Sequence, residues 1–429
     1  MTLMTNTDFP AHSPQSSTVH HQVVIVGGGS AGITVAAQLL RQDRSLDVAI
    51  VEPSDRHYYQ PAWTLVGAGC LDFDDTVKPE ADCIPEGVTW LRDSVAQFEP
   101  DDNSLLTQSG QKVSYDYLIV CPGIQLDWDR IAGLKDALGK NGVCSNYLPG
   151  GATYTWELIN QFRGGNAVFT FPATPIKCAG APQKVMYLAD DTFRRNNVRD
   201  KTQITYCTAT PKIFGVPTFI PPLMKVVERK GIDLKVSHNL KAINAEAKEA
   251  IFDVTIAGTT EEVTIPYDVL HVAPPMSAPD FIKSSKLAID GPLGWVDVDK
   301  YTLQHNRYGN VFSLGDVSSL PNSKTAAAIR RQAPVLIQNL LALIQKGTLN
   351  AKYNGYSCCP LITGYGKTIM AEFDYDGNPY PSFPLDPTQE RYSMWVLKRN
   401  ILPWVYWNRM LKGSDHEGNT IRTITGMNS

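Results

Sequence analysis

Hydrophobic residues in this chain come as short β-branched runs stopped by glycine or an acid, with helix-like periodicity between them. Val23-Val24-Ile25-Val26 has the composition of a buried parallel strand, and Gly27-Gly28-Gly29-Ser30-Ala31-Gly32 follows at once. Ile33 to Leu40 then reads as a helix, and Asp47 to Val51 as a second strand that ends at Glu52. Val88 to Phe98 reads as a strand pair, and Asp116 to Val120 as a third buried strand stopping at Cys121-Pro122-Gly123. Asn166 to Phe171 opens a second strand–helix unit whose helix is Gln183 to Arg194, and Gln203 to Cys207 is its next strand. A proline-rich loop, Ile213 to Pro222, a helix, Leu223 to Lys230, and strands to about Ile265 complete it, and Leu270 to Met276 returns the chain to the first unit. Asn310 to Leu314 is a further strand ending in Gly315-Asp316, and Ser323 caps a long helix running to about Gln345. Strands alternating with helices predict an α/β chain with two Rossmann-like domains. The first is discontinuous, 21–130 and 271–345, and the second spans 131–270; a polar, disordered arm (1–20) precedes them and a further region (346–429) follows.

The glycine run carries G-x-G-x-x-G in the setting that gives it meaning. Gly27 permits the tight turn, Gly29 lets backbone approach a pyrophosphate, and Gly32 lets helix and strand pack closely. The helix from Ile33 turns its N-terminal amides to the phosphate, with Ser30 and Ala31 at the cofactor in the turn before it, and the Glu52 carboxylate, 20 residues beyond Gly32, can accept from ribose hydroxyls. A strand ending in Gly-Asp is the second half of the pattern in flavoproteins with two dinucleotide domains, where the aspartate serves the ribityl and phosphate end. Asp316 therefore selects FAD over free NAD. Arg56 to Trp63 either lies over the core or lines the cofactor, in which case Gln60 touches it, and Val95 is placed to offer backbone groups to an adenine ring. Lys324-Thr325-Ala326-Ala327 opens the long helix with small side chains, so an isoalloxazine ring can rest on it while amides and Lys324 stabilise its reduced anion. In the second unit the strand leads instead into Pro172-Ala173-Thr174-Pro175-Ile176-Lys177-Cys178, and prolines where a phosphate turn needs bare backbone disfavour NAD(P)H. Cys178 falls just before a helix N-terminus, where the dipole and Lys177 favour a thiolate. His271 reads as a packed histidine, and Cys121 and Cys207 as structural.

Composition narrows the partners. A formal net charge of −4 gives no electrostatic reason for nucleic-acid binding. Residues 1–20 lack the apolar core and basic start of a secretory signal, and no run of about eighteen apolar residues spans a membrane. None of the 8 cysteines forms C-x-x-C and no histidine cluster accompanies them, so no metal site is expected. Adjacent cysteines rarely bond to each other, which leaves one of Cys358 and Cys359 free for a distant partner. Arg391 to Lys412 sets Trp395, Trp404, Tyr406 and Trp407 among Lys398, Arg399, Arg409 and Lys412, a mixture suited to peripheral membrane attachment. A buried helix pair or a homodimer contact is the competing reading. On the membrane reading, a bacterial protein of this kind sits on the cytoplasmic face.

Together these residues resemble the sulfide:quinone oxidoreductases, in the group that contains the mitochondrial enzyme. The likeness runs from about Gln22 to about Gly413. It is carried by Tyr59-Gln60-Pro61 with Trp63 to Gly69, Phe169-Thr170-Phe171-Pro172, Lys177 to Lys184, Gly294 to Lys300, Lys324 to Ala328, Cys359-Pro360-Leu361 and Ala371-Glu372-Phe373. It implies a glutathione-reductase-like flavoprotein with FAD, oxidation of hydrogen sulfide, reduction of a membrane quinone and attachment to the membrane surface. It also implies that Cys178 and Cys359 are the two redox cysteines. Hydrosulfide would then open their disulfide, Cys359 would hold a persulfide, and glutathione, sulfite or more sulfide would take the sulfur. Two other readings compete: an NADH:quinone oxidoreductase, opposed by the proline-filled second loop, and a non-catalytic flavin redox sensor.

Overall fold

The computed structural model describes residues 18–414. Its first sheet has seven strands. In spatial order six of them are Val88–Leu91, Val48–Val51, Val19–Val26, Lys112–Val120, Ser104–Thr107 and Val95–Glu99, and Val311–Ser313 lies parallel to the end of Lys112–Val120. Val23 to Val26 pair in parallel with Val48 to Val51 on one side and Tyr117 to Val120 on the other, and burial on both faces explains their unbroken apolar run. The strand starts at Val19, so residues 19 and 20 belong to the sheet rather than to a terminal arm, and residues 1–17 lie outside those described. Val88–Leu91 and Val95–Glu99 do not pair with each other. They take opposite edges, the first parallel to Val48–Val51 and the second in an antiparallel hairpin with Ser104–Thr107.

A second, five-stranded parallel sheet runs Val143–Cys144, Val269–His271, Gly165–Phe171, Thr202–Thr208, Asp233–Lys235. His271 thus lies inside this sheet, between Cys144 and Phe169, with no exposed surface. The hairpin Ser357–Gly364 with Lys367–Phe373 lies on the helix Ala181–Arg195, and Cys359, Leu361, Ile369 and Phe373 join its core. The long helix is Ala326–Ile344, capped by Thr325 and not by Ser323. Lys324 is still bridged to Lys177 in extended conformation, so the helix cannot begin before Thr325, whose hydroxyl accepts from Ala328 N at 3.2 Å.

The described residues close with Tyr392–Val396, a π-helical turn Leu397–Ile401, the helix Leu402–Asn408 and a short 3-10 turn Met410–Lys412. Pro403 cannot donate back to Arg399, which suits the wider turn. The segment divides by face: Trp395, Tyr406, Trp407, Met410 and Leu411 are buried, whereas Tyr392, Ile401 and Trp404 are exposed. Among the described residues no helix is long and apolar enough to cross a membrane.

Candidate active site

Cys178 owes its position to a turn that a glycine would normally take. Its φ is +57°, its N–H donates to Lys324 O at 2.7 Å, and its carbonyl accepts from Ala181 N at 2.8 Å. Left-handed backbone at such a residue stores about 1–3 kcal/mol, tolerated where the surroundings fix it. The parallel bridge between Lys177 and Lys324 supplies that constraint and ties the cysteine to the turn before the long helix.

The cation on its sulfur is Lys184, not Lys177. Lys184 Nζ lies 3.2 Å from Cys178 Sγ, whereas Lys177 Nζ turns away to Gln60 Oε1 at 2.5 Å. Lys184 belongs to the helix Ala181–Arg195, and helical side chains lean toward the N-terminus, which brings a residue one turn inside back over the helix start. A hydrogen bond from Cys359 and the charge of Lys184 outweigh burial and hold the Cys178 thiol well below its ordinary range. Cys359 keeps the shared proton and moves the opposite way, helped by complete burial. Burial drives the other six up as well: Cys70 and Cys83 to about 11, Cys144 and Cys207 to about 12, and Cys121 and Cys358 further. Of the cysteines, Cys178 alone is set to be a thiolate.

Cys358 and Cys359 lie on opposite faces of their strand, as alternation requires. Cys359 faces Cys178 and packs near Gly180, while Cys358 Sγ rests 3.4 Å from Met370 Sδ. A third cation, Lys398 on the π turn, faces Cys178 and Cys358. Burial and the nearby Lys184 push it down to about 7, and its Nζ donates to Pro61 O at 2.8 Å.

Cys178, Lys177, Lys184, Cys358 and Lys398 share one cavity of about 710 Å³, within the range of cofactor clefts, while Cys359 is fully buried behind Cys178 and does not line it. Its wall runs from Gly28, Gly29, Ser30, Ala31 and Glu52, past Gly315 and Asp316, to Lys324, Thr325, Ala326, Ala327 and Cys178. The elongated donor set fits FAD. Gly29 is open to space, and a Cβ on Gly32 would stand 1.9 Å from Gly27 O, so the turn is possible only with glycine. Ala326 and Ala327 present helix-start amides without intrahelical acceptors. Gln60 also lines the wall; Gly27 and Gly32 support it from behind, and Val95 is buried in its edge strand away from it.

The acids are partly committed within the protein. Glu52 accepts from Gly28 N and Ser54 N, both at 2.8 Å, and burial raises its pKa. Burial likewise raises Asp316, against the pull of Lys324 and Lys177. Lys324 is pushed down to about 8 by burial, with its Nζ on Ser318 O at 3.0 Å and over the Trp295 ring at 3.9 Å. His271 accepts from Asn146 N at 3.2 Å, and burial lowers it to about 3, so it is neutral packing as expected. Lys184 was visible in the Lys177–Lys184 motif; Lys398 and the residues His57 and Tyr406, also in the wall, had no local signal. Among the described residues no cluster of metal-ligating side chains exists.

Residues 21–147 match the family model for pyridine nucleotide-disulphide oxidoreductases. The chain is 45% identical over 394 residues to the mitochondrial sulfide:quinone oxidoreductase of Mus musculus, covering 92% of this chain and 87% of that protein. It is 46% identical over 402 residues to the mitochondrial sulfide:quinone oxidoreductase of Dictyostelium discoideum, covering 93% and 88%. Its fold is similar to the X-ray structure of the sulfide:quinone oxidoreductase from Aquifex aeolicus, with a TM-score of 0.79 at 19% identity over 95% of both chains.

Proposed function

The chain belongs to the sulfide:quinone oxidoreductases, FAD enzymes that oxidise sulfide and reduce quinone, and on that premise we propose that Cys178 and Cys359 carry the sulfur chemistry. The observation that supports this assignment is the placement of Cys359 and of Lys184 Nζ, 3.2 Å away, against Cys178 Sγ, which favours its thiolate.

In the oxidised enzyme the two sulfurs are bonded. Hydrosulfide attacks Cys359 Sγ, the sulfur–sulfur bond breaks, and Cys178 leaves as thiolate because the lower-pKa thiol is the better leaving group. Lys184 and Lys398 balance the charge that lands on it. Burial of Cys359 keeps the resulting persulfide from bulk water. A nucleophile (sulfite, glutathione or a second hydrosulfide) then bonds to the outer sulfur and leaves Cys359 as thiolate. The Cys178 and Cys359 thiolates then re-form their disulfide, and FAD, when bound, would supply the redox chemistry that accepts the released electron pair for delivery to quinone. Gly28 to Ala31 with Glu52 would hold its adenosine end, and Asp316 with Lys324 to Ala327 its flavin end.

Anaerobic sulfide titration of the full-length holoenzyme, followed in the flavin absorption bands, tests the assignment. Bleaching lost in both Cys178→Ser and Cys359→Ser supports it, and stoichiometric bleaching in either sinks it. The exposed Tyr392, Ile401 and Trp404, beside Arg399, are the surface proposed to rest on a membrane. Replacing all three by serine should release the enzyme from lipid vesicles, and unchanged co-sedimentation would assign that face elsewhere.

A further inference from the structure

A buried hydrogen-bonded chain that the sulfur chemistry does not use joins the glycine loop to the C-terminal helix. Glu80 Oε2 lies 3.2 Å from His57 Nδ1, His57 Nε2 lies 2.5 Å from Tyr406 Oη, and Tyr406 Oη lies 2.7 Å from Ser30 Oγ. Glu80, His57 and Tyr406 are 2%, 3% and 2% exposed, and Ser30 opens the helix at the cavity wall. Each of these contacts needs one proton, because facing lone pairs at such separations repel.

Counting protons sets the direction of the chain. With Glu80 ionised and His57 neutral, the imidazole proton fills the first gap, the tyrosine proton the second and the serine proton the third. Ser30 then turns its hydroxyl inward and shows only lone pairs to the cavity. One more proton on the Glu80–His57 pair reverses this: His57 donates to Tyr406, Tyr406 donates to Ser30, and the Ser30 O–H is free to donate outward. Burial pushes the Tyr406 phenol up, so it relays protons without ionising. Glu80 Oε1 has no partner and stands 2.7 Å from where a Gly28 Cβ would be. A protonated pair lessens the penalty of leaving that oxygen buried and unpaired.

We propose that Glu80, His57 and Tyr406 are positioning residues for the FAD pyrophosphate, aiming the Ser30 hydroxyl at it only when the Glu80–His57 pair carries this extra proton. FAD binding then takes one proton from solvent and FAD release returns it. The inference rests on reading the glycine loop as the pyrophosphate cradle. The other charged or titratable groups around the imidazole are Glu52 at the end of its strand, Lys78 opposite His57 in the Arg56–Tyr58 and Val77–Pro79 pair, Tyr59 and Cys83. Glu52 favours the extra proton and Lys78 opposes it.

The test is the FAD dissociation constant of the full-length holoenzyme, from free-flavin fluorescence on dilution, between about pH 5.5 and about pH 9. In the wild type, affinity should fall as pH rises, with a limiting slope of about tenfold per pH unit for one linked proton. Tyr406→Phe removes the group that consumes the serine proton, so its profile should be flat at the tight, acid-side value. Glu80→Gln supplies a proton to the first gap without titrating and should also be flat and tight. A flat wild-type profile, or a Tyr406→Phe profile weakened at every pH with the slope kept, overturns the relay. Ser30→Ala should be flat at the weak limit. Wild-type affinity in that variant at acid pH would overturn the cradle reading itself, a failure distinct from that of the relay.

Discussion

The two parallel sheets each pass from a strand through a loop into a helix, and the chain has used that junction for opposite ends. After Val19–Val26 the loop is bare: Gly29 caps the helix Ser30–Gln42 with no side-chain acceptor, and the amides are left for an anion from outside. After Gly165–Phe171 the loop is filled, with Pro182 in the first turn of the helix and Cys178 turned at φ +57°. On the proposed reading each helix start meets negative charge, the cofactor's phosphate in one case and the Cys178 thiolate in the other. What differs is whether the charge is borrowed or built in. The contrast extends to the next strands: Val48–Val51 ends at the acid Glu52, whereas Thr202–Thr208 ends with a hydroxyl spent on Thr210 at 2.7 Å.

The largest effect should come from removing the built-in charge. Cys178→Ser and Cys359→Ser should each abolish sulfide-dependent flavin bleaching while leaving FAD content at the wild-type level, because neither sits in the first loop. Loss of FAD from Cys178→Ser, measured by flavin-to-protein ratio, would show that the two junctions are not separate.

Next is Lys184→Met. Below its ordinary range, the Cys178 thiol stays ionised as pH falls through about 8.5, so its alkylation rate in the reduced wild type should be flat near neutrality. Without the ammonium its pKa rises, and alkylation at neutral pH should drop at least about tenfold and recover toward alkaline pH. The identical change at Lys177 should leave that profile in place, since its ammonium is held at Gln60. A profile shifted by the Lys177 change but not by the Lys184 change would reverse the assignment.

Legibility followed distance along the chain. The glycine loop, Glu52 and the position of Cys178 before a helix are local patterns, and they meet in one cavity wall because strand, turn and helix follow one another. The choice between Lys177 and Lys184 needed side-chain direction: a neighbour in an extended loop points away, while a residue one helical turn on leans back. Val88 to Phe98 reads as a strand pair, yet Val88–Leu91 and Val95–Glu99 take opposite edges, because sequence proximity says nothing about sheet order. Lys398 and Tyr406 reach the cavity from a π turn and a helix hundreds of positions from the loops they touch, so periodicity could only mark them as part of an aromatic, basic tail.

A smaller effect belongs to the borrowed charge. Glu52→Ala should weaken FAD retention by about 1.5–3 kcal/mol, toward the upper end because the Gly28 amide also loses its acceptor. Thr208→Ala, at the matching position of the second sheet, should leave retention unchanged. Equal FAD affinity in both variants, by flavin fluorescence on dilution, would remove the acid from the cofactor site.

The smallest effect tests how finely the second junction is addressed. Cys358→Ser should keep most sulfide:quinone turnover. Cys358 is next to Cys359 in sequence, but the pleat turns it to the cavity side, where its sulfur meets Met370 and not Cys178. Burial and the Glu372 charge raise its thiol, so at neutral pH it is a weak nucleophile, and a serine hydroxyl of similar size can occupy the place. Its face of the strand belongs to the first core, while Cys359 belongs to the second, so exchanging their roles would require turning the strand over and breaking the register Cys358↔Glu372 and Cys359↔Ala371. Turnover of the single mutants decides the matter: an inactive Cys358→Ser beside an active Cys359→Ser would put the partner of Cys178 one residue earlier and on the other face.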